Sequence, residues 1–137
     1  ADDTSSTYKM VRVPTTAKVK KVEIMSRIAS AGSADINIAH SDSTADGTPP
    51  DLQGDIVQIS SANNKLFGAA QSLVLSGAPT DFTFKNATNF PQASREKPLW
   101  EVLGFTADPG GFFDIQANIT TTVTTGGELT CACYYVE

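Results

Sequence analysis

The feature that most constrains this fold is a run of alternating residues near the C-terminal end of the chain. From Phe113 to Ile119 every second residue is apolar, and polar residues fill all the positions between them. A period of two is that of a β-strand with one buried face and one polar face. The run therefore predicts a long strand that packs one face on a core.

Shorter stretches of the same kind occur throughout the chain. Three early strands are predicted at "TYKMVRVP", "KVKKVEIMSRI" and "ADINIAH", and three more at "DIVQIS", "LFGAAQSLVLSG" and "TDFTF". The first two are joined only by "PTTA", which predicts a hairpin or a tight corner. Residues 41–54 contain Gly, Pro, Asp and Ser at loop frequency. Eight or so short strands with glycine-rich turns predict an all-β fold, a β-sandwich of jelly-roll type.

The apolar positions of the last strand, together with the length of the loop before it, predict how this strand pairs. Its apolar positions, from Leu129 through Cys131 and Cys133, are odd-numbered like those of the preceding strand. Partners on an antiparallel ladder point the same way, so residues 112–124 and 128–136 are predicted to pair around residues 125–127. This register places Val123 opposite Leu129 and directs Cys131 to the core.

The segment "KPLWEVLGFTADPGG" (97–111) contains the only tryptophan and two turn signals. Pro98 and Gly104 are typical of the first position and the end of a helical turn, so one short turn is expected at 98–103. "ADPGG" suits a type II turn. Trp100 is either an exposed stacking platform or part of a plug at one end of the sandwich, and we favour the plug.

The sequence contains few candidates for catalytic residues or metal ligands. His40 is the only histidine, and no nucleophile motif accompanies it. We therefore expect no enzymatic activity, no catalytic residue and no cofactor, and we expect His40→Ala to leave stability unchanged. The acids of the 41–55 region do not follow the spacing of a calcium loop, so no metal site is predicted there.

Charge and cysteine content restrict the partners and the compartment. The net charge of −5 and the absence of clustered arginines argue against nucleic acid. No apolar run is long enough for a membrane helix, and the polar N-terminus does not match a secretory signal. Cys131 and Cys133 lie too close along one strand for a disulfide, which fits two reduced thiols and a cytoplasmic place of assembly.

Two stretches carry a resemblance to a known family. "YKMVRVPTTAKVKKVEI" (8–24) and "KPLWEVLGFTADPGGFFDIQANITTTVTTGGEL" (97–129) resemble the capsid decoration, or cement, proteins of tailed bacteriophages. The resemblance implies a virion structural protein without catalytic residues, which binds the outside of an assembled capsid and reinforces it. Its implied partners are the major capsid protein and further copies of itself, for instance in a trimer, with no nucleic acid and no membrane.

The polar N-terminus has nothing to bury, so the chain is predicted to divide into a flexible N-terminal arm, 1–7, and one sandwich domain, 8–137. The expected capsid contacts are Asp2, Asp3, Thr4 and Tyr8, because a polar arm orders on binding. Two alternatives remain open. A carbohydrate-binding module on the virion surface would expose Trp100, Phe112 or Phe90 along a groove, and an enzyme would gather carboxylates around His40.

Overall fold

A computed structural model of the chain describes residues 6–27, 31–40, 65–75, 77–123 and 128–137. In these ranges the chain forms strands and two short helical segments. The strands are β1 (Thr7–Pro14), β2 (Lys18–Arg27), β3 (Ser33–His40), β4 (Gln71–Ser72), β5 (Thr80–Asp81), β6 (Phe112–Thr121) and β7 (Glu128–Val136). A 3-10 helix covers Gln92–Glu96, and α1 covers Leu99–Val102. No helix in the described ranges is long and apolar enough to cross a membrane.

The strands form two antiparallel sheets that share a core. The four-stranded sheet has the order β1-β6-β3-β4, and the three-stranded sheet has the order β5-β2-β7. The all-β sandwich predicted from the sequence is thus confirmed. The helical turn predicted at 98–103 forms at Leu99–Val102, and the 3-10 helix at Gln92–Glu96 adds a second short segment that the sequence did not predict. The narrower expectation of a jelly roll stays a prediction, because residues 41–64 between β3 and β4 lie outside the described residues.

The core is built from the inward faces of both sheets. On β6 the alternating apolar residues from Phe113 to Ile119 are all buried, as the two-residue period predicts. They pair with the apolar face of β3, so that Ile115 lies opposite Ile38 and Ala117 opposite Ile36. Burying an isoleucine or phenylalanine side chain, such as Ile115 or Phe113, contributes about 1.5–3 kcal/mol.

The predicted hairpin between the last two strands is wrong. β6 pairs with β1 and β3 in one sheet, whereas β7 pairs with β2 in the other. Leu129, Cys131 and Cys133 do pack against the core, but they lie opposite Ser26, Ile24 and Val22 of β2. Strands of two stacked sheets both point their apolar residues at one core. Apolar residues at odd-numbered positions of both strands are therefore compatible with this arrangement as well as with a hairpin.

The link between β1 and β2 is a corner from one sheet to the other, which is one of the two forms expected. Ala17 N donates a hydrogen bond to Pro14 O over 3.0 Å and closes the turn. At the other end, β1 begins at Thr7, and Ile119 N donates to Ser6 O over 2.9 Å. Two residues assigned from the sequence to the arm are therefore hydrogen-bonded or paired to β6.

The strands predicted at 66–77 and 80–84 are also largely wrong. Only two-residue strands form there. In 66–77, Gly68 has a φ of 129° and Ala70 a φ of 48°, which an extended ladder does not allow. In 80–84 the chain turns directly after the short strand, where Lys85 N donates a hydrogen bond to Phe82 O over 3.3 Å. Leu66, Phe67 and Phe82 are nevertheless fully buried. These apolar residues fill the core from turns, so their burial does not require strand geometry.

Candidate functional site

The segment around Trp100 is a structural corner. Leu99 N donates a hydrogen bond to Ala17 O over 2.9 Å, and Trp100 N donates to Thr15 O over 3.2 Å. These N–H groups in the first turn of α1, which have no partner within the helix, are thus hydrogen-bonded to the link between β1 and β2. Gly104, with a φ of 87°, ends the helix as the sequence predicts.

The Asp-Pro-Gly-Gly turn closes the same corner from the other side. Asp108 Oδ1 accepts hydrogen bonds from Thr15 Oγ1 over 2.6 Å and from Gly110 N over 2.9 Å. Thr15 N in turn donates to Gly111 O over 3.2 Å. Gly110 has the positive φ, 76°, that the third position of a type II turn needs.

His40 belongs to this corner. It is 5% exposed, and its Nε2 lies 2.8 Å from Gly110 O. Since a carbonyl can only accept, Nε2 carries the proton. The ring also meets Phe113 edge-on, with 5.7 Å between centroids. These contacts give His40 a structural role, and His40→Ala is therefore expected to lower stability, contrary to the expectation from the sequence.

The three aromatic residues that a carbohydrate-binding groove would require differ in their exposure to solvent. Phe90 is fully buried, with its ring 5.3 Å from that of Phe67. Trp100 is half-buried against the core, while Phe112 is 48% exposed at the start of β6. Phe90 therefore offers no stacking surface to a sugar.

The residues expected to touch a capsid are only partly described. Asp2, Asp3 and Thr4 lie outside the described residues. Tyr8 lies on β1 opposite Ala117 and is 38% exposed. The acids of the 41–55 loop also lie outside the described ranges, and within those ranges no three His, Cys, Asp or Glu side chains gather as metal ligands would.

Sequence reasoning missed a buried polar row on the outer face of the four-stranded sheet. Asp114, Gln116 and Asn37 point away from the core, yet each is at most 4% exposed. Arg12 holds Asp114 through two contacts, Nε to Oδ1 at 2.8 Å and Nη2 to Oδ2 at 3.3 Å. Lys9 Nζ adds a third at 3.5 Å. Polar residues at alternate positions gave no signal of burial, because the pattern shows only that they avoid the core.

The two thiols are chemically quiet. Burial raises the pKa of Cys131 from 9.0 to about 12, and the neighbouring Cys133 adds to this rise. Burial likewise raises the pKa of Cys133 to about 12. A thiol attacks as the thiolate, so both side chains act here as small apolar groups rather than as nucleophiles.

The long sheet edges are the remaining surfaces suited to contact. β1 forms one edge, with Tyr8, Lys9 and Arg12 exposed along it. β7 forms the edge of the other sheet, and the side chains at its end, Tyr134 and Val136, are about half exposed.

Comparison with known proteins found no relative of this chain. No protein-family model matches the chain, and neither the curated proteins nor the solved structures contain a match to it.

Proposed function

We propose that the chain is a virion structural protein that binds the outside of an assembled phage capsid and reinforces it. The observation that carries the proposal is the resemblance of residues 8–24 and 97–129 to capsid decoration proteins. Its partners would be the major capsid protein and further copies of the chain, without nucleic acid, membrane, cofactor or catalysis.

The position of the two resembling stretches supports this proposal. Although they are far apart in the sequence, β1 pairs with β6 along nearly its whole length. The helical turn at Leu99 is hydrogen-bonded to the corner between β1 and β2. The resemblance therefore falls on one contiguous structural unit rather than on scattered surface segments.

The physical task of a decoration protein fits a rigid sandwich with exposed edges. Packaged DNA pushes outward on the shell, and a protein that bridges neighbouring capsomers opposes their separation. Binding to the assembled shell alone stabilises it by mass action. Many weak contacts repeated over one particle add up through multivalency.

The test uses capsids stripped of their decoration. Full-length protein is added back, and its occupancy and the temperature of heat-induced DNA release are measured. We expect saturable binding and release at a higher temperature than from stripped particles. If both particles release DNA at the same temperature, reinforcement is wrong.

A second measurement separates the carbohydrate-binding alternative. Phe112→Ala removes the most exposed aromatic of those proposed to line a groove. Glycan binding by the wild-type chain that Phe112→Ala abolishes, with no capsid binding by either protein, would replace the decoration proposal with the carbohydrate-binding module.

A further inference from the structure

The two sheets have four edges among the described strands, and three of them are poor templates for another strand. β4 and β5 are only two residues long. β1 has a register shift between Lys9 and Val11, carries exposed Lys9 and Arg12, and ends at Pro14. Short strands, bulges, charges and proline are the devices that keep sheet edges from pairing with other chains.

The fourth edge, β7, is long and regular and has no proline and no internal charge. It runs for nine residues, Glu128–Val136, and Glu128 at its first position is its only charged residue. The register shift in its pairing with β2 lies between Val19 and Lys21, so β7 itself is regular. No described strand pairs with its second edge. Among the described strands this second edge, about 30 Å long, therefore forms no ladder, and β1 of the other sheet contacts β7 without pairing with it.

The side chains of β7 that face the core also lack complete cover. Leu129, Cys131 and Cys133 pack against the core but stay partly exposed, unlike their partners Ser26, Ile24 and Val22 on β2, which are buried. Apolar side chains that point inward and remain half-covered at an edge gain stability when another strand extends the sheet.

We propose that β7 pairs with β7 of a second copy of this chain, in an antiparallel, two-fold symmetric arrangement centred on Ala132. This centre lies in the middle of the strand, so all nine residues of each copy pair. The two three-stranded sheets then become one continuous six-stranded sheet. The inference stands on the described edges alone and does not depend on the proposed capsid role.

The residues that this register brings together are chemically matched. On the inner face Cys131 lies opposite Cys133 of the second copy, and Leu129 lies opposite Tyr135. On the outer face Thr130 lies opposite Tyr134, an aromatic and β-branched pair of the kind that stabilises sheets. Self-pairing of identical surfaces is what a two-fold interface requires.

The charges also permit two copies of an acidic chain to meet here. Glu128 lies opposite Val136 of the second copy, whose neighbour on β2 is Lys18. The two Glu128 side chains lie at opposite ends of the interface, about 27 Å apart along the strand. The net charge of −5 on each copy is therefore not concentrated at this contact.

The first test changes charge at the centre of the interface. Ala132 is exposed and pairs with Glu23 on β2, so Ala132→Glu would set four carboxylates in a row across the two copies. Ala132→Lys would instead place two ammonium groups between Glu23 and Glu23 of the second copy. The matched control is Ala78→Glu, at an exposed alanine beside β5 on the opposite edge.

Sedimentation of the isolated protein over a range of concentrations gives the dimer dissociation constant. We expect a dimer for the wild type, retained in Ala132→Lys and Ala78→Glu, and a dissociation constant raised roughly tenfold or more in Ala132→Glu. Thermal unfolding of each variant verifies that it folds. A monomer at every concentration, or a trimer, overturns the proposal.

The second test determines the register in which β7 pairs with β7 of the second copy. In Ala132→Cys the two new thiols face each other across the symmetry axis, so oxidation with diamide should yield a covalent dimer on a non-reducing gel. Thr130→Cys should not cross-link, because Thr130 faces Tyr134. Both substitutions are made in a variant with Cys131 and Cys133 replaced by Ser, because the proposed register also brings these two thiols together across the copies, and that variant serves as the blank. Cross-linking of Thr130→Cys but not of Ala132→Cys would contradict the proposed centre.

Discussion

His40 illustrates how one side chain joins segments that are distant in the sequence. It lies at the end of β3, and its hydrogen-bond acceptor, Gly110 O, lies 70 residues further along. We expect His40→Ala to lower the free energy of unfolding by about 1–3 kcal/mol, because the Gly110 carbonyl loses its donor and Phe113 its ring contact. Urea unfolding measures this.

The exposed Glu101→Ala on α1 provides the control and should change the free energy of unfolding by less than about 0.5 kcal/mol. An equal effect of both substitutions would show that the contact between His40 and the corner contributes nothing. The sequence placed His40 at the end of its strand, but nothing local to "IAH" indicates a partner in "DPGG".

The cysteines predict a dependence on alkaline pH. Their folded pKa of about 12 lies above the ordinary value of 9.0, so burial favours the neutral thiol. The stabilisation is fully present below pH 9 and is lost as the pH rises from 9 towards 12. We expect the unfolding midpoint to fall over that interval, and to fall less in a variant with both cysteines replaced by Ser.

The same shift predicts slow alkylation. At pH 8 the native thiolate fraction should be lower by about a thousandfold than for an ordinary cysteine, since each pKa unit is a factor of ten. Iodoacetamide labelling followed by mass spectrometry compares the native protein with the urea-unfolded chain. Equal rates in the two states would contradict the burial of these thiols.

At the scale of elements, the join between β1 and β6 contains an ion pair that can be measured. Arg12 is about half exposed, whereas the side chain of Asp114 is 4% exposed. Among the described residues, removing Arg12 therefore leaves the buried carboxylate with the longer contact to Lys9. We expect Arg12→Ala to cost about 1–3 kcal/mol, and more than Lys9→Ala.

A double-mutant cycle isolates the pair. Asp114→Asn in the Arg12→Ala background removes the uncompensated charge, so the double variant should lose less stability than the sum of the single changes. Chemical denaturation of the four proteins gives the coupling energy. Strictly additive losses would show that the two side chains do not interact.

The elements differ in how far the sequence could predict them. The long strands β2, β3 and β6 follow from alternation, because each buries one continuous face. The short strands β4 and β5 do not, since Leu66, Phe67 and Phe82 are buried from turns. The pairing of β7 with β2 could not be deduced either, because parity reports which side faces the core and not which sheet a strand joins.

At the scale of the whole molecule, two N-terminal deletions test where the arm ends and the folded domain begins. Deleting residues 1–5 removes none of the described contacts, whereas deleting 1–7 also removes Ser6 O, the acceptor for Ile119 N, and Thr7, the partner of Asn118. We expect the shorter deletion to keep the unfolding midpoint and the longer one to lower it. Thermal unfolding by circular dichroism makes the comparison.

Capsid binding of the shorter deletion then tests the arm by itself. Weaker occupancy with an unchanged midpoint would support Asp2, Asp3 and Thr4 as contacts. Unchanged occupancy would remove them from the interface and leave the sheet edges as the binding surface. The sequence identified the arm by its polarity, but the site on the shell depends on surfaces that alternation does not reveal.

The long-range pairing of both sheets has a consequence for how the chain is made. Arg12 and Asp114, which join β1 to β6, lie 102 residues apart. Until the segment from Phe112 onward has emerged from the ribosome, the described partners of β2 and β3 are only the two-residue strands β5 and β4. Non-local sheets of this kind form slowly, because distant segments must meet before contacts compensate for their ordering. β1, β2 and β3 would therefore lack their long described partners until β6 and β7 have been synthesised, so the two sheets of this domain would form only after its last strands have emerged.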